Sequence, residues 1–378
     1  MVYWDNAATT WPKPTTVRVA TCKANLLYGA NPGRSGHKMS LAAAEQVYVC
    51  RRAVAEFFGL TDSAGVVFTG NCTMALNMVI YGVLRDGGEA LTSDLEHNAV
   101  MRPLAQYGKF RTVEWCRDEQ ELVERFRRAI GPNTRLLICT HASNVFGVSL
   151  PIRRLGELAH RYGLLFCVDA AQSAGVLPID MEADHIDFLC VAPHKGLYAP
   201  MGTGLLLCRN TAILPPFVCG GTGSHSLSMQ QPDELPDRLE SGTPNTSGIC
   251  GVRAGIEFVN NRGREAVYQH EIRCLQQVYD RLAGCSSIHF YTPRPQVGNT
   301  VPVLSLNVDT IPSEQTAEML DDHGIAVRAG LHCAPAAHRH FGTLEQGTVR
   351  LAPSAFSTAE EAAYISKVFL KIAKKSLH

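Results

Sequence analysis

Leu136-Leu-Ile-Cys-Thr140, Pro151-Ile-Arg-Arg-Leu-Gly-Glu-Leu-Ala-His-Arg-Tyr162 and Leu164-Leu-Phe-Cys-Val-Asp169 together decide the fold. A short apolar run, a helix-like stretch and a second apolar run follow one another without a long gap. Strand, helix, strand at this spacing is the unit that lays two strands parallel, because a parallel pair needs a crossover. Upstream, Val66–Thr69, Ala90–Ser93 and Thr112–Trp115 read as further strands, with helices over Thr73–Leu84, Asn98–Tyr107 and Glu119–Ile130. Downstream, Phe188–Val191 and Gly204–Cys208 complete the set. The pattern predicts an α/β fold with a seven-stranded, mainly parallel sheet sandwiched by helices. Ligands of such sheets sit beyond the carboxyl ends of the strands.

The pattern changes at Phe217–Pro244, a stretch rich in Gly, Ser and Pro that reads as a long loop. Helical patterns follow over Gly248–Asn261 and Arg264–Ala283. Strands are then sparse: Val303–Val308, Ile325–Arg328 and Thr348–Leu351, before a last helix, Thr358–Lys371. We expect a large domain over 14–260. Residues 1–13 and 261–378 are expected to form a smaller α+β domain.

Composition narrows the function. In 378 residues, 35 cations balance 35 anions, which argues against nucleic-acid binding and against a polybasic membrane-surface role. With 46% hydrophobic residues the chain can build a sizeable core. No apolar run approaches the length that spans a bilayer, and Met1-Val-Tyr-Trp-Asp-Asn lacks the pattern of a secretory signal. Thirteen cysteines, an odd number without a Cys-x-x-Cys pair, fit a reduced cytoplasm better than a disulfide framework or a metal site. Most sit in apolar stretches and read as small buried hydrophobes.

Three segments carry chemistry. Val191-Ala-Pro-His-Lys-Gly-Leu-Tyr198 puts Lys195 in a short turn after a strand. A lysine there can form a Schiff base if its pKa is lowered, although an ordinary loop lysine has the same appearance. Asp169 ends an apolar strand and needs a cationic partner, such as a protonated pyridine nitrogen. A helix N-cap would explain an aspartate there equally well. The pair, each after a strand, points to a cofactor. Phe68-Thr-Gly-Asn-Cys-Thr73 runs from strand to helix and offers free N–H groups and the Thr73 hydroxyl to a phosphate.

These residues resemble the cysteine desulfurase and selenocysteine lyase family, in the class V aminotransferase branch of fold-type I pyridoxal phosphate enzymes. The likeness runs from Tyr3-Trp-Asp-Asn-Ala-Ala-Thr-Thr10 through Glu96-His-Asn98, Ser143-Asn-Val145, Asp169-Ala-Ala-Gln172 and His194-Lys195. It continues through Glu240-Ser-Gly-Thr-Pro-Asn245 and Arg328-Ala-Gly-Leu-His-Cys-Ala-Pro335 to Arg350. The resemblance implies pyridoxal 5'-phosphate on Lys195, with Asp169 on its ring nitrogen, Gln172 on its phenolic oxygen and His97 over its face. Cys72, Thr73 and His194 would lie at the phosphate. Thr243 would reach the phosphate of a neighbouring subunit, which implies a homodimer. Asn144 and Arg350 would bind the substrate carboxylate. Cys333, in a loop with His332 and His338, would be the nucleophile, its thiolate favoured by those imidazoles. Ala192, followed by Pro193, stands where the family often has a serine or threonine, so one phosphate hydroxyl is missing.

The implied reaction takes L-cysteine to L-alanine, leaves a persulfide on Cys333 and passes the sulfur to an acceptor protein. Alternatives on the same scaffold are a selenocysteine lyase acting on L-selenocysteine, another lyase or a transaminase. A non-catalytic sulfur-relay scaffold is a further alternative.

Overall fold

The computed structural model describes residues 1–33, 36–209, 214–298 and 300–375. The chain opens with β1 (Val2–Tyr3), α1 (Thr15–Leu27) and α2 (Lys38–Phe57). Seven strands then build one sheet: β2 (Val66–Thr69), β3 (Glu89–Ser93), β4 (Lys109–Val113), β5 (Thr134–Thr140), β6 (Leu165–Asp169), β7 (Phe188–Val191) and β8 (Gly204–Cys208). Their spatial order is β2-β8-β7-β6-β5-β3-β4. Every neighbouring pair is parallel except those of β8, which runs antiparallel to β7 and β2. Helices α3 (Cys72–Leu84), α4 (Asn98–Tyr107), α5 (Glu119–Ala129) and α6 (Ile152–Arg161) alternate with the strands, and α7 (Thr246–Arg262) follows the long loop.

Side-chain alternation along the strands makes two cores. Phe166, Val168, Leu189, Val191, Leu205 and Leu207 pack with Val47 and Val54 of α2, Phe126 of α5 and Leu155 of α6. Cys167, Phe188, Cys190, Leu206 and Cys208 face the other way, onto Leu76 and Ile80 of α3 and Leu104 of α4. Burying each large apolar side chain contributes roughly 1.5–3 kcal/mol, so the central strands are held from both faces. Asp169 has the same parity as Cys167, and this places a carboxylate on the α3 face at the carboxyl end of β6.

The C-terminal part comprises α8 (Arg264–Leu282), β9 (Ile288–Phe290), β10 (Leu304–Val308), α9 (Ser313–Asp321), β11 (Ile325–Ala326), α10 (Pro335–His340), β12 (Val349–Leu351) and α11 (Ala359–Lys375). β10 lies between β12 and β9, antiparallel to both. The N-terminal strand returns here: β1 pairs with β11, and Asp5 bridges to Ala352.

The sequence reading places the central strands well and misplaces the edge. β4 lies at Lys109–Val113 rather than Thr112–Trp115. It is an edge strand with little buried surface, so no apolar run marks it, and the Trp115 amide turns away to donate to Asp94 Oδ1 at 2.9 Å. Helices α1, α2, α9 and α10 escaped notice. α1 buries only Val17 and Ala24, too little for a clear period. The stripe of α2 is Ala43, Val47, Cys50 and Val54, whose small members blur it.

Candidate active site

Lys195 lies in residues 192–203, which leave β7 and return as β8. Its backbone is fixed by hydrogen bonds from the N-terminal segment. Thr10 Oγ1 donates to the carbonyls of His194 (3.1 Å) and Lys195 (3.2 Å). Lys13 Nζ donates to the His194 carbonyl at 2.7 Å and to Thr10 Oγ1 at 2.8 Å. Burial, then the Arg350 charge, lower the Lys195 pKa, while Asp169 and Cys72 act the other way. A lysine so placed holds a larger free-amine fraction than a solvated one, which Schiff-base chemistry requires.

Asp169 is 3% exposed, and burial raises its pKa. The capping reading holds in part. Its Oδ1 caps the Ala171 amide at 2.9 Å, yet a turn follows rather than a helix. Cys72 Sγ stands 3.8 Å from the same oxygen. Burial, followed by repulsion from Asp169, pushes the Cys72 thiol well up, so it stays protonated and can donate. Asn71 caps α3 through the Met74 amide (2.9 Å), leaving the Cys72 and Thr73 amides without an acceptor among the described residues. Thr73 is exposed there. Gly204 of β8 passes so close that any Cβ would meet the Asn71 backbone and Thr69 Oγ1.

His97 caps α4, its Nδ1 accepting from the Ala99 amide at 3.0 Å, which leaves the proton of the neutral ring on Nε2. Burial and then the charge of Lys195 lower its pKa to about 4, with Arg328 and Arg350 adding to the effect. His194 shares a 3.1 Å contact between Nδ1 and Thr9 Oγ1. Burial, Lys195 and Lys13 bring it to about 4. Gln172 Nε2 donates to the Ala7 carbonyl at 3.1 Å and lines a small cavity with Lys195.

An arginine without partners would be costly within an apolar strand such as β12, where Arg350 lies. The structure supplies partners: Nη2 donates to Asp5 Oδ1 at 2.8 Å and Nη1 to the Asn144 carbonyl at 3.0 Å. Nε remains buried without an acceptor, so the guanidinium still has a donor to give. Asn144 Nδ2 in turn donates to the His332 carbonyl at 2.8 Å. Arg350, Asn144 and the cysteine loop are thus one connected unit.

Cys333 is exposed in that loop. Two consecutive residues, His332 (φ 47°) and Cys333 (φ 59°), adopt the left-handed region, which costs roughly 1–3 kcal/mol each and needs support. The support is visible: the Asn98 amide donates to the Cys333 carbonyl at 2.7 Å, and the Thr348 amide to the Gly330 carbonyl at 3.2 Å. The expectation that His332 and His338 activate the thiol is corrected. Both are buried, stacked on each other, and kept neutral, His332 at about 2 and His338 at about 4, chiefly by burial. The cation beside the sulfur is Arg328, whose Nη2 lies 3.9 Å from Sγ. Sequence reading quoted Arg328 within a motif but gave it no role. Thr243 is exposed, accepts from Asn31 Nδ2 at 3.2 Å, and lines a groove between α2 and the long loop that also takes in Gly70, Met74 and Thr203.

A lysine at the carboxyl edge of a mainly parallel sheet, a buried aspartate and an arginine from a second sheet come together on an α/β scaffold. The chain belongs to the class-V aminotransferase family, whose model matches residues 2–365. It is 32% identical to a probable cysteine desulfurase of Methanothermobacter thermautotrophicus, over 98% of this chain and 94% of that one. A probable cysteine desulfurase of Vibrio cholerae is also 32% identical, over 96% and 91%. Among solved structures, a cysteine desulfurase of Thermococcus onnurineus NA1 in its apo form superposes with a TM-score of 0.91. That match has 30% identity and covers 99% of this chain and 95% of the other. The Escherichia coli cysteine desulfurase CsdA, solved as the S-sulfonic acid, gives 0.86 at 26% identity, covering 98% and 94%. Among the described residues, no helix is long and apolar enough to cross a membrane.

Proposed function

We propose that this protein is a pyridoxal 5'-phosphate-dependent cysteine desulfurase, a homodimer acting in the cytoplasm. It would convert L-cysteine to L-alanine and place the sulfur on Cys333. The observation that carries the reading is the meeting of Lys195, Asp169, His97 and Arg350 within reach of an exposed thiol that has Arg328 at 3.9 Å. The residues fit the cofactor. The raised pKa of Asp169 calls for a cationic hydrogen-bond partner, and the free amides of Cys72 and Thr73 call for an anion.

The cofactor, when bound, supplies a carbonyl for Lys195 and an electron sink for the carbon next to it. Lys195 Nζ would hold it and move the Cα proton of the substrate. Asp169, with Cys72 beside its carboxylate, would answer the ring nitrogen. Gln172 would serve the phenolic oxygen and His97 the ring face, and Thr73 and His194 would hold the phosphate. Thr243, in the long loop, would serve the phosphate of a partner subunit. Arg350, held by Asp5, and Asn144 take the substrate carboxylate. The Cys333 thiolate attacks the substrate sulfur. An S–S bond forms, the Cβ–S bond breaks, and its electron pair stays with the three-carbon fragment, which takes up protons and leaves as alanine. L-cysteine and a thiol become alanine and a persulfide, so the step balances without an added oxidant. An acceptor thiol on another protein then removes the outer sulfur. Residues 14–260 serve as the cofactor-carrying domain, and 1–13 with 261–378 as the smaller one.

The test is incubation of pyridoxal phosphate-loaded protein with L-cysteine, quantifying alanine and Cys333-bound sulfur together. Stoichiometric alanine with a persulfide on Cys333, lost in Cys333→Ala, is expected. No alanine from wild type would sink the reading. Undiminished turnover by Cys333→Ala would assign the site to a lyase acting without the thiol, for which L-selenocysteine is the substrate to try.

A further inference from the structure

Glu271 is a carboxyl in an apolar helix face. It sits on α8 between Val267, Tyr268, Ile272 and Leu275, all buried, and is itself 5% exposed. An acid in such a place costs several kcal/mol unless it is answered. Its hydrogen-bond partner is the Tyr198 hydroxyl, which donates to Oε1 at 2.9 Å. Burial holds Glu271 up at about 8, and burial with the Glu271 charge pushes the Tyr198 phenol well above its ordinary range. Tyr198 therefore remains a donor across the physiological range.

The same phenol oxygen accepts from the Ala355 amide at 2.7 Å. Ala355 follows Arg350 by one short turn, beyond the end of β12. At its other end, the Tyr198 amide donates to the Lys195 carbonyl at 2.8 Å. Tyr198 has φ 56°, an unfavoured conformation for a large side chain, and its surroundings must hold it there. Phe258 and Phe356 flank its ring at 5.0 and 6.0 Å, and Arg262 lies over both of those rings at 5.4 Å. A narrow cavity lined by Asn6, Gln172, Lys195, Tyr198 and Glu271 joins the two ends of this arrangement.

We propose that Tyr198 and Glu271 are positioning residues that tie the Lys195 turn to the segment carrying Arg350, setting the lysine against the group that grips the substrate. The inference rests on the desulfurase reading for its chemistry, but the tie itself is a property of the chain. One phenol oxygen bridges two elements of the C-terminal part, and its own backbone belongs to the lysine turn. Buried polar contacts of this kind specify one arrangement out of several that an apolar contact would tolerate.

Three variants test it. Glu271→Gln keeps an acceptor for the tyrosine, Glu271→Leu removes it, and Tyr198→Phe removes the bridging oxygen. In the cofactor-free chain, deuterium uptake of residues 192–203 is expected to rise at least fivefold in Glu271→Leu and Tyr198→Phe, and to stay near wild type in Glu271→Gln. In the loaded protein, the visible circular dichroism band is expected to change in the first two. Their kcat for L-cysteine should fall about tenfold with KM within twofold, and Glu271→Gln should restore both readouts. A lower melting temperature with unchanged uptake, band and kcat would overturn the proposal, leaving a role in stability alone. Glu271→Gln as impaired as Glu271→Leu would also overturn it. If Glu271→Leu does not fold, Tyr198→Phe decides on the same readouts. Wild type without a visible band but with the expected uptake pattern would sink the desulfurase reading and leave the tie standing.

Discussion

Replacing Glu240 with alanine would expose a weak edge of the sheet. β2 is the edge strand opposite β4, and its outer side is closed by an ion pair rather than by another strand. Glu240 grips Arg51 through two hydrogen bonds of 2.8 and 2.9 Å, and Oε1 also accepts from the Phe68 amide at 2.6 Å. Arg51 donates to the Val66 carbonyl and stacks on Phe68 with its guanidinium 4.8 Å from the ring centre. The two side chains satisfy backbone groups that a neighbouring strand would otherwise take. Arg51 is 7% exposed, so removing Glu240 strands a buried cation and an edge amide together. Breaking such a pair costs about 3–5 kcal/mol. At about 2.1 cal/mol/K per residue, 378 residues give an unfolding entropy of about 0.8 kcal/mol/K. A loss of about 4 kcal/mol therefore lowers Tm by about 5 °C, read by calorimetry at neutral pH. The double variant Arg51→Met, Glu240→Leu removes both charges and is expected to lose less than Glu240→Ala. It would still leave the edge open to pairing with another chain, visible as light scattering during heating. A loss below about 1 kcal/mol in Glu240→Ala, or a double variant less stable than the single one, would refute the reasoning.

Gly204→Ala is expected to push the Asn71 turn away from β8 and weaken pyridoxal phosphate binding at least tenfold, measured by fluorescence titration. Unchanged affinity would remove the start of α3 from the phosphate site. Cys333 is expected to react with iodoacetamide ahead of the other exposed cysteines, Cys22 and Cys219, and Arg328→Gln should slow it several-fold. Mass spectrometry of partially alkylated protein would show it, and an unchanged rate would dismiss Arg328 as the activating cation. Glu96 is fully buried and held up at about 8, chiefly by burial, against 4.5 when free. Its contribution to stability is present below pH 4.5 and is lost as pH rises through 8. Glu96→Gln cannot ionise, so its stability relative to wild type should improve by about 1.4 kcal/mol per pH unit between pH 5 and 8. Urea midpoints at the two pH values check this, and a constant difference would contradict it.

What the sequence made legible follows from what burial imposes on it. β6, β7 and β8 are buried along nearly their whole length, so their apolar runs could be read to within a residue. β4 has one buried residue and slipped by three positions. Lys195, Asp169 and Cys333 stand out as candidates because each breaks its local pattern: a cation in a Gly and Pro turn, an acid ending an apolar run, and a cysteine outside one. Arg328, Lys13 and Asp5 give no such signal. Arg328 is one more polar residue of a loop, and Lys13 and Asp5 take their meaning from partners far away in the chain, the His194 carbonyl and Arg350. The histidines near Cys333 misled for the same reason. Proximity in sequence suggested two cations, and burial, invisible there, leaves both rings neutral.

The reversal of β8 has a mechanical consequence. A parallel partner for β7 would have required a helix to carry the chain back along the sheet before a new strand could begin. Because β8 runs the other way, residues 192–203 leave one central strand and enter its neighbour without departing from the ligand-binding rim. The lysine is therefore carried like the deck of a short bridge whose two piers are strands buried along their whole length. Displacing its backbone has to bend the span itself.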